Sequence, residues 1–239
     1  MLKKILICSI AIVPFNKVRI LLYRLFLGYK IDWNCKVGMF NYLDCDNANL
    51  YLSSIGVLNY INVNNLIMSS SEIGKLNKIK FLRTLKMGQE SMIRSKNVVL
   101  GTSDFFSPYL DVFNFEIGKK SLITSNHYFD CTANIKIGNN VVFGGINSQI
   151  WTHGFDKNRT MVLADVNIQD DIYLGSSIVI LQGVNIVSQV SVGAGSIVSK
   201  DISQTGFYVS SSLVRKGDLA DYSKNDNTII YEGAGFYKK

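Results

Sequence analysis

The chain has 239 residues, of which 47% are hydrophobic, and a formal net charge of +7. Most of this charge comes from residues 1–30, which hold six Lys or Arg residues and no Asp or Glu. A nucleic-acid-binding domain would instead carry its basic residues as a stripe along the folded surface, so no nucleic-acid partner is expected.

The four cysteines, Cys8, Cys35, Cys45 and Cys131, show no C-x-x-C spacing. This pattern favours reduced packing residues over a disulfide or zinc framework, and it indicates a cytoplasmic protein.

Residues 1–30 form a basic, apolar N-terminal segment. Its stretch 5–13 is too short to span a bilayer and lacks a signal-peptidase site. Asn16 could cap a helix that ends at Gly28, and this helix would be apolar over most of its surface. Such a helix must be covered. It either seals the open end of a repetitive fold or attaches the protein peripherally to an anionic membrane.

The next segment has aliphatic residues six apart, followed at four residues by mostly polar ones. The apolar series is Ile55, Ile61, Ile67, Ile73, Ile79 and Leu85, and the polar series is Asn59, Asn65, Ser71, Asn77, Arg83 and Gln89. We expect imperfect early coils with Asn side chains at the turns, because Asn tolerates left-handed backbone.

The two histidines are His127 and His153. A catalytic zinc site generally needs three protein ligands, and no metal is therefore expected. No G-x-S-x-G motif supports a serine hydrolase. The hexad rhythm stops after His153 and resumes at Ile168, which predicts a loop at about residues 154–167, and loops on rigid scaffolds often carry function.

From Ile168 to Ile202 two aliphatic rows repeat every six residues. The first row is Ile168, Leu174, Ile180, Ile186, Val192 and Val198, and the second is Ile172, Ile178, Val184, Val190, Ser196 and Ile202. Neither one helix nor one strand keeps such rows in register for so long. The pattern predicts an all-β solenoid of stacked short strands.

These rows, with the hexads "LGSSIV" and "VGAGSI", resemble the hexapeptide-repeat acyltransferases. The resemblance extends through "EIGKKSLITSNHYFDC" and "IKIGNNVVFGGINSQIWTHG" and covers about the C-terminal half strongly. It implies a left-handed parallel β-helix over residues 31–206, a short N-terminal helix before it, and an irregular tail over 207–239. It also implies a homotrimer with active sites in the clefts.

The resemblance further implies an acetyl-CoA-dependent O-acetyltransferase that acts on a sugar hydroxyl, in bacterial surface-polysaccharide biosynthesis. His153 matches the catalytic histidine, which acts as a general base. Asp156, three residues on, could orient its ring. Trp151 could form a wall for the sugar, and His127, with Asp130 as companion, could line the same cleft from a neighbouring subunit.

Residues eighteen apart stack directly in a coil of eighteen residues, so Gly175-Ser176 and Gly193-Ala194 should form a narrow lane for a pantetheine arm. In the family, Ser176, Ala194 and Ser199-Lys200 match positions that contact coenzyme A. Lys200, Arg215 and Lys216 are candidates for its phosphates.

Two other functions remain open. An amino-sugar N-acyltransferase would share the fold and the acyl donor, although such chains typically carry an added nucleotide-binding domain. A noncatalytic scaffold would keep the β-helix for trimerisation alone.

Overall fold

The computed structural model describes residues 1–102, 113–210, 229–232 and 235–238. In chain order the elements are α1 (Leu2–Ala11), α2 (Asn16–Leu27), β1 (Lys30–Ile31), β2 (Lys36–Val37), β3 (Tyr42–Tyr51), β4 (Ser54–Ile55), β5 (Tyr60–Ser69), β6 (Glu72–Ile73), β7 (Lys78–Met87), β8 (Met92–Ile93), β9 (Val98–Leu100), β10 (Asn114–Ile117), β11 (Leu122–Ile123), β12 (Tyr128–Asp130), β13 (Ile135–Ile137), β14 (Val141–Phe143), β15 (Gln149–Trp151), β16 (His153–Phe155), β17 (Met161–Leu163), β18 (Val166–Ile168), β19 (Ile172–Leu174), β20 (Val179–Ile180), β21 (Asn185–Ile186), β22 (Val190–Val192), β23 (Ile197–Val198), β24 (Gly206–Tyr208), β25 (Ile229–Glu232) and β26 (Gly235–Lys238).

The strands stack in parallel into a three-sided solenoid, which confirms the predicted fold class. Face A contains β2, β4, β6, β8, β11, β14, β19, β22 and β24. Face B contains the first halves of β3, β5 and β7, followed by β9, β12, β15, β20 and β23. Face C contains β1, the second halves of the same three long strands, and β10, β13, β18 and β21. The chain runs from A to B to C, so each coil has an A/B edge, a B/C edge and a C/A edge.

The hexad rows of the C-terminal half point inward as predicted. All twelve residues of the two rows are buried. In the early coils Ile67 departs from the prediction, because Leu66 and Met68 point inward and leave Ile67 exposed. Strand β5 bends from face B to face C at Asn64-Asn65, and this bend shifts the alternation by one residue.

The solenoid ends later than predicted. Gly206–Tyr208 pairs with Val190–Val192 as the last strand of face A, so the boundary at residue 206 falls inside a strand. Within the predicted irregular tail, Ile229–Glu232 and Gly235–Lys238 pair as antiparallel strands.

Two helices, rather than the single one expected, cover the first coil. Ile10, Ile20 and Tyr23 join the solenoid core. Side chains of α2 also cover the open edge of β2. Asn16 Oδ1 accepts the backbone N–H of Val37 at 2.9 Å, and Asn16 Nδ2 donates to the carbonyl of Cys35 at 3.0 Å. The guanidinium of Arg19 donates to the carbonyl of Val37. Burial lowers the pKa of Arg19 from its ordinary value. These hydrogen bonds satisfy backbone N–H and C=O groups at the first coil that could otherwise pair with a strand of another chain. Of the helices in the described part of the chain, none is long and apolar enough to cross a membrane.

A file of buried polar side chains runs along the inside of the A/B edge. Asn41, Asn59, Asn77 and Asn97 are each at most 2% exposed. The Oδ1 atom of each of the first three accepts the backbone N–H of the next, at 2.9 Å every time. These residues are therefore interior ladder residues. The left-handed turn positions lie one residue earlier, at Leu58 and Leu76 for example.

His127 extends this file, which corrects its expected place in a substrate cleft. It is 1% exposed, and its N–H donates to Asn97 Oδ1 at 2.9 Å. Its ring Nδ1 accepts the N–H of Ser148 at 3.0 Å, and Nε2 lies 2.8 Å from Thr124 Oγ1. Burial lowers the pKa of His127 from its ordinary 6.5 to about 4. Protonation of Nδ1 would also remove the acceptor of the Ser148 N–H.

Asn77→Ala tests the file. The substitution leaves the N–H of Asn97 and the carbonyl of Arg94 without the partner that Asn77 provides. Leaving these buried polar groups without hydrogen-bond partners should lower the free energy of unfolding by about 1–3 kcal/mol. Urea unfolding should show this loss, whereas Asn47→Ala on the exposed side of face C should change stability by less than about 0.5 kcal/mol. Equal losses in the two variants would contradict the role of the file.

His127 should make stability depend on pH. The folded-state pKa lies below the unfolded-state value, so the unfolded chain takes up a proton first as the pH falls. Stability is complete above pH 6.5 and should fall by up to about 3 kcal/mol between pH 6.5 and about 4. His127→Asn places an asparagine in the file, as at the preceding positions, and removes the side chain that titrates. Urea unfolding across this range should therefore give a flatter profile for the variant, and parallel profiles would refute the assignment.

Candidate active site

Asp130 and His153 form a close pair at the B/C edge. The Nδ1 atom of His153 lies 2.6 Å from Oδ2 of Asp130. The carboxylate is nearly buried, with 6% of the side chain exposed, whereas 26% of the imidazole side chain is exposed. A carboxylate can only accept, so the ring proton of neutral His153 lies on Nδ1. Nε2 therefore carries the lone pair.

Three further hydrogen bonds fix the Asp130 carboxylate and its backbone. Thr132 Oγ1 donates to Oδ1 at 2.6 Å, and the N–H of Thr152 donates to Oδ2 at 3.0 Å. The hydroxyl of Thr152 in turn donates to the carbonyl of Asp130 at 2.9 Å. The orientation of His153 is thus set by a buried network on two adjacent coils, as a group that must hold one tautomer requires.

Asp156 does not orient His153, which corrects the expected pairing. Its Oδ1 accepts the backbone N–H groups of Asn158 and Thr160, both at 2.8 Å. Asp156 therefore closes the turn of the hairpin formed by β16 and β17. The predicted loop is this hairpin. Because of it, the chain takes a longer path from strand β13 to its partner β18 than from β18 to its partner β21.

Aromatic rings surround His153. The ring centroid of Trp151 lies 6.4 Å from that of His153 and 5.1 Å from that of Tyr128, and Phe155 lies 5.8 Å from His153 on the hairpin. Trp151 Nε1 donates to Gln149 Oε1 at 3.0 Å, which holds the indole on the outside of face B. Trp151 is thus placed to form a wall beside the imidazole.

The small residues of the A/B edge stack as predicted. A Cβ atom added to Gly175 would lie 2.7 Å from the backbone nitrogen of Ala194 and 3.2 Å from the carbonyl carbon of Gly193. The N–H of Gly195 donates to the carbonyl of Ser176 at 2.8 Å, and Ser176 Oγ accepts the N–H of Ile146 at 2.9 Å. Two coils therefore touch through their backbones at this edge.

The remaining coenzyme candidates lie on the other side of face B. Ser199 and Lys200 follow β23 as His153 follows β15, and β15, β20 and β23 are hydrogen-bonded neighbours. They therefore belong to the B/C edge, two coils beyond His153. Gly175 and Gly193 precede β20 and β23 at the A/B edge. One chain thus keeps these small residues a full face away from its imidazole. Arg215 and Lys216 lie outside the described residues.

Asp156 was proposed as the partner of His153 because it lies three residues further along the chain, whereas the partner in the structure lies on the preceding coil. Asp130 pairs in register with Trp151, which lies further along the chain than the regular hexad count would place its partner. Thr132 and Thr152 were not identified either. Gln182 of the next coil was also missed, and its amide nitrogen would lie 2.6 Å from a Cβ placed on Gly154. In the described part of the chain, no three His, Cys, Asp or Glu residues cluster as a metal site would require.

Comparisons with known proteins agree with the repeat. No protein-family model matches the chain. The curated protein "Putative acetyltransferase C18B11.09c" of Schizosaccharomyces pombe is 40% identical over 96 residues, which are 38% of this chain and 46% of that protein. The chain thus matches about half the length of this curated relative.

Two solved structures that are partly similar to this chain are also named acetyltransferases. The hexapeptide-repeat acetyltransferase VCA0836 from Vibrio cholerae, complexed with acetyl coenzyme A, is 18% identical with a TM-score of 0.40 and covers 86% of this chain and 78% of its own. The polySia-specific acetyltransferase NeuO is 18% identical with a TM-score of 0.45, covering 71% and 70%. The chain thus has hexad rows and a parallel solenoid, and it is similar to a putative acetyltransferase of S. pombe over 96 aligned residues.

Proposed function

We propose that the protein transfers an acetyl group from acetyl-CoA to a hydroxyl of a saccharide. The observation that carries the proposal is the 2.6 Å contact between Asp130 and Nδ1 of His153, which leaves Nε2 as a base at a partly exposed edge. The S. pombe relative supports an acetyl donor. The pathway we propose is bacterial surface-polysaccharide biosynthesis.

The residues of this chain supply the base and its orientation. Bound acetyl-CoA supplies the acetyl group as an activated thioester. Nε2 of His153 takes the proton of the acceptor hydroxyl as its oxygen attacks, and the carboxylate of Asp130 stabilises the resulting imidazolium. The ring then returns this proton to the departing thiolate, so that histidine is regenerated. The products are the acetyl ester and the free thiol.

The A/B edge fits the slender arm of the donor. Gly175 and Gly193 let successive coils stack closely beside the proposed lane, because a Cβ atom on Gly175 would lie 2.7 Å from the backbone nitrogen of Ala194 and one on Gly193 would lie 2.7 Å from Cγ1 of Val209. Ser176 and Ala194 complete the lane. Ser199 and the exposed Lys200 lie at the B/C edge, where an ammonium suits a phosphate.

We propose that the complete site forms between chains. His153 and the small-residue lane lie at opposite edges of face B, so one chain does not bring them together. In a symmetric ring, the B/C edge of one prism can lie against the A/B edge of the next. A homotrimer would thereby combine His153 and Lys200 of one chain with the lane of its neighbour.

An amino-sugar N-acyltransferase is the second candidate, because an amine could also lose its proton to His153. The nature of the product separates the two reactions, since hydroxylamine cleaves an ester and leaves an amide. A noncatalytic scaffold would bind no coenzyme A at all.

His153→Gln should lower acetyl transfer by about 10²- to 10⁴-fold, because it removes the base. Asp130→Asn should lower it at least about tenfold, because a neutral amide does not stabilise the imidazolium as the carboxylate does. The assay follows labelled acetyl-CoA with nucleotide sugars, glycans and lipid-linked saccharides. Asp156→Asn and His127→Asn serve as controls and should retain activity within about threefold, since neither residue contacts His153. Unchanged turnover in His153→Gln would remove the mechanism.

Mixed assemblies test the shared site. His153→Ala and Ala194→Trp, which fills the lane from an exposed position, should each be inactive alone. When the two chains are refolded or expressed together, about a quarter of the clefts should pair an intact His153 with an intact lane and regain activity. Lys136→Trp on face C controls for the added bulk and should be active alone. If the mixture stays inactive while both chains co-assemble, each site lies within one chain.

A further inference from the structure

The two N-terminal helices leave an apolar surface exposed after they have covered the first coil. Helix α1 buries Ile7, Ile10 and Ala11, and α2 buries Ile20 and Tyr23. On their outer sides lie large apolar residues that the solenoid does not cover: Leu2 (81% exposed), Ile5, Ile12, Phe15 (68%), Leu21, Leu25 (68%) and Phe26 (60%). We call these seven residues the helical outer surface. Sealing the solenoid therefore uses only one side of each helix.

Basic groups surround this surface. Of the six in residues 1–30, Lys3 pairs with Asp44 at 2.8 Å and Arg19 is buried. Lys4, Lys17, Arg24 and Lys30 remain exposed, and residues 1–30 contain no acidic residue. The described part of the helical cap therefore presents four positive charges next to aliphatic and aromatic side chains.

Trp33 adds a third feature. It is 43% exposed, two residues after strand β1, and the guanidinium of Arg24 lies 4.9 Å from its ring centroid. Tryptophan favours the boundary between hydrocarbon and polar headgroups, because its ring is apolar and its N–H is polar.

We propose that the helical outer surface docks onto an anionic lipid bilayer, with the helices lying in the interface. The charge favours a bilayer over a protein partner. Residues 1–30 contain no acidic residue, so the four exposed cations complement anionic headgroups. A second copy of the same surface would instead bring like charges together. The lengths of α1 and α2 match an interfacial position, since both helices are too short to span a bilayer. The N-terminal end of the solenoid then faces the membrane.

Flotation of the full chain with vesicles tests the proposal. We expect the protein to float with phosphatidylcholine vesicles that contain phosphatidylglycerol, to float weakly with phosphatidylcholine alone, and to be released by high salt. Leu25→Ser/Phe26→Ser and Lys4→Glu/Lys30→Glu should each lower the vesicle-bound fraction, expressed as a partition coefficient, at least about tenfold.

Matched controls separate this surface from general changes. Tyr51→Ser/Ile67→Ser removes two exposed apolar residues from face C, and Lys119→Glu/Lys136→Glu makes the same charge change elsewhere; both should bind like the parent chain. Circular dichroism and gel filtration check the fold of every variant. Equal binding to both vesicle types, or equal losses in test and control variants, would overturn the proposal. Loss of self-association in the helix variants without vesicle binding by the parent chain would also overturn it and assign the surface to a second copy. Acetyl transfer to a soluble acceptor is measured separately and does not depend on this outcome.

Discussion

The parallel stacking of one coil on the next is the constraint on which the other features of this molecule depend. Each coil places its three strands directly over those of the coil before, at a spacing of about 4.8 Å. Any residue type that recurs once per coil therefore becomes a column. Aliphatic columns form the core, an asparagine column lies inside the A/B edge, and a glycine pair stacks at the same edge.

The pair formed by Asp130 and His153 lies where this regularity is interrupted. The B/C edge carries an additional hairpin between His153 and Leu163, which makes the coil there longer than the coils after it. The hairpin starts at His153 itself, so the imidazole lies at the junction between the rigid solenoid and the inserted hairpin. Asp130 of the preceding coil can reach it because the stack fixes the distance between their edges. The buried threonine contacts of Asp130 keep the carboxylate in place without drawing on the hairpin.

The sequence predicted the repeat and its core well where the hexads are regular. From Ile168 to Ile202 each leading aliphatic is buried, because a period of six leaves one choice of inward phase. The predicted inward orientation was wrong at Ile67, because strand β5 bends between two faces and a count of six residues does not reveal this bend. His127 and His153 were distinguished only by the structure. His127 replaces an asparagine in an interior column, whereas His153 begins strand β16, and both follow ordinary-looking hexads. The assignment of Asp156 relied on nearness in the chain, whereas the contact with Asp130 comes from nearness between coils. Stacking of Gly175 on Gly193 was predictable from their spacing, but the width of face B between that lane and His153 was not.

The asparagine column has a consequence for how chains of this kind can change in length. Asn41, Asn59 and Asn77 lie in coils whose contacts above and below are nearly interchangeable, since the Oδ1 atom of each accepts the backbone N–H of the next Asn in the same geometry. A whole coil could be removed or duplicated in this region and the flanking coils would still meet matching partners. Such an event would move the terminal helices relative to the imidazole by about 4.8 Å while leaving both ends intact. The N-terminal half thus resembles a spacer of adjustable height, built in uniform increments.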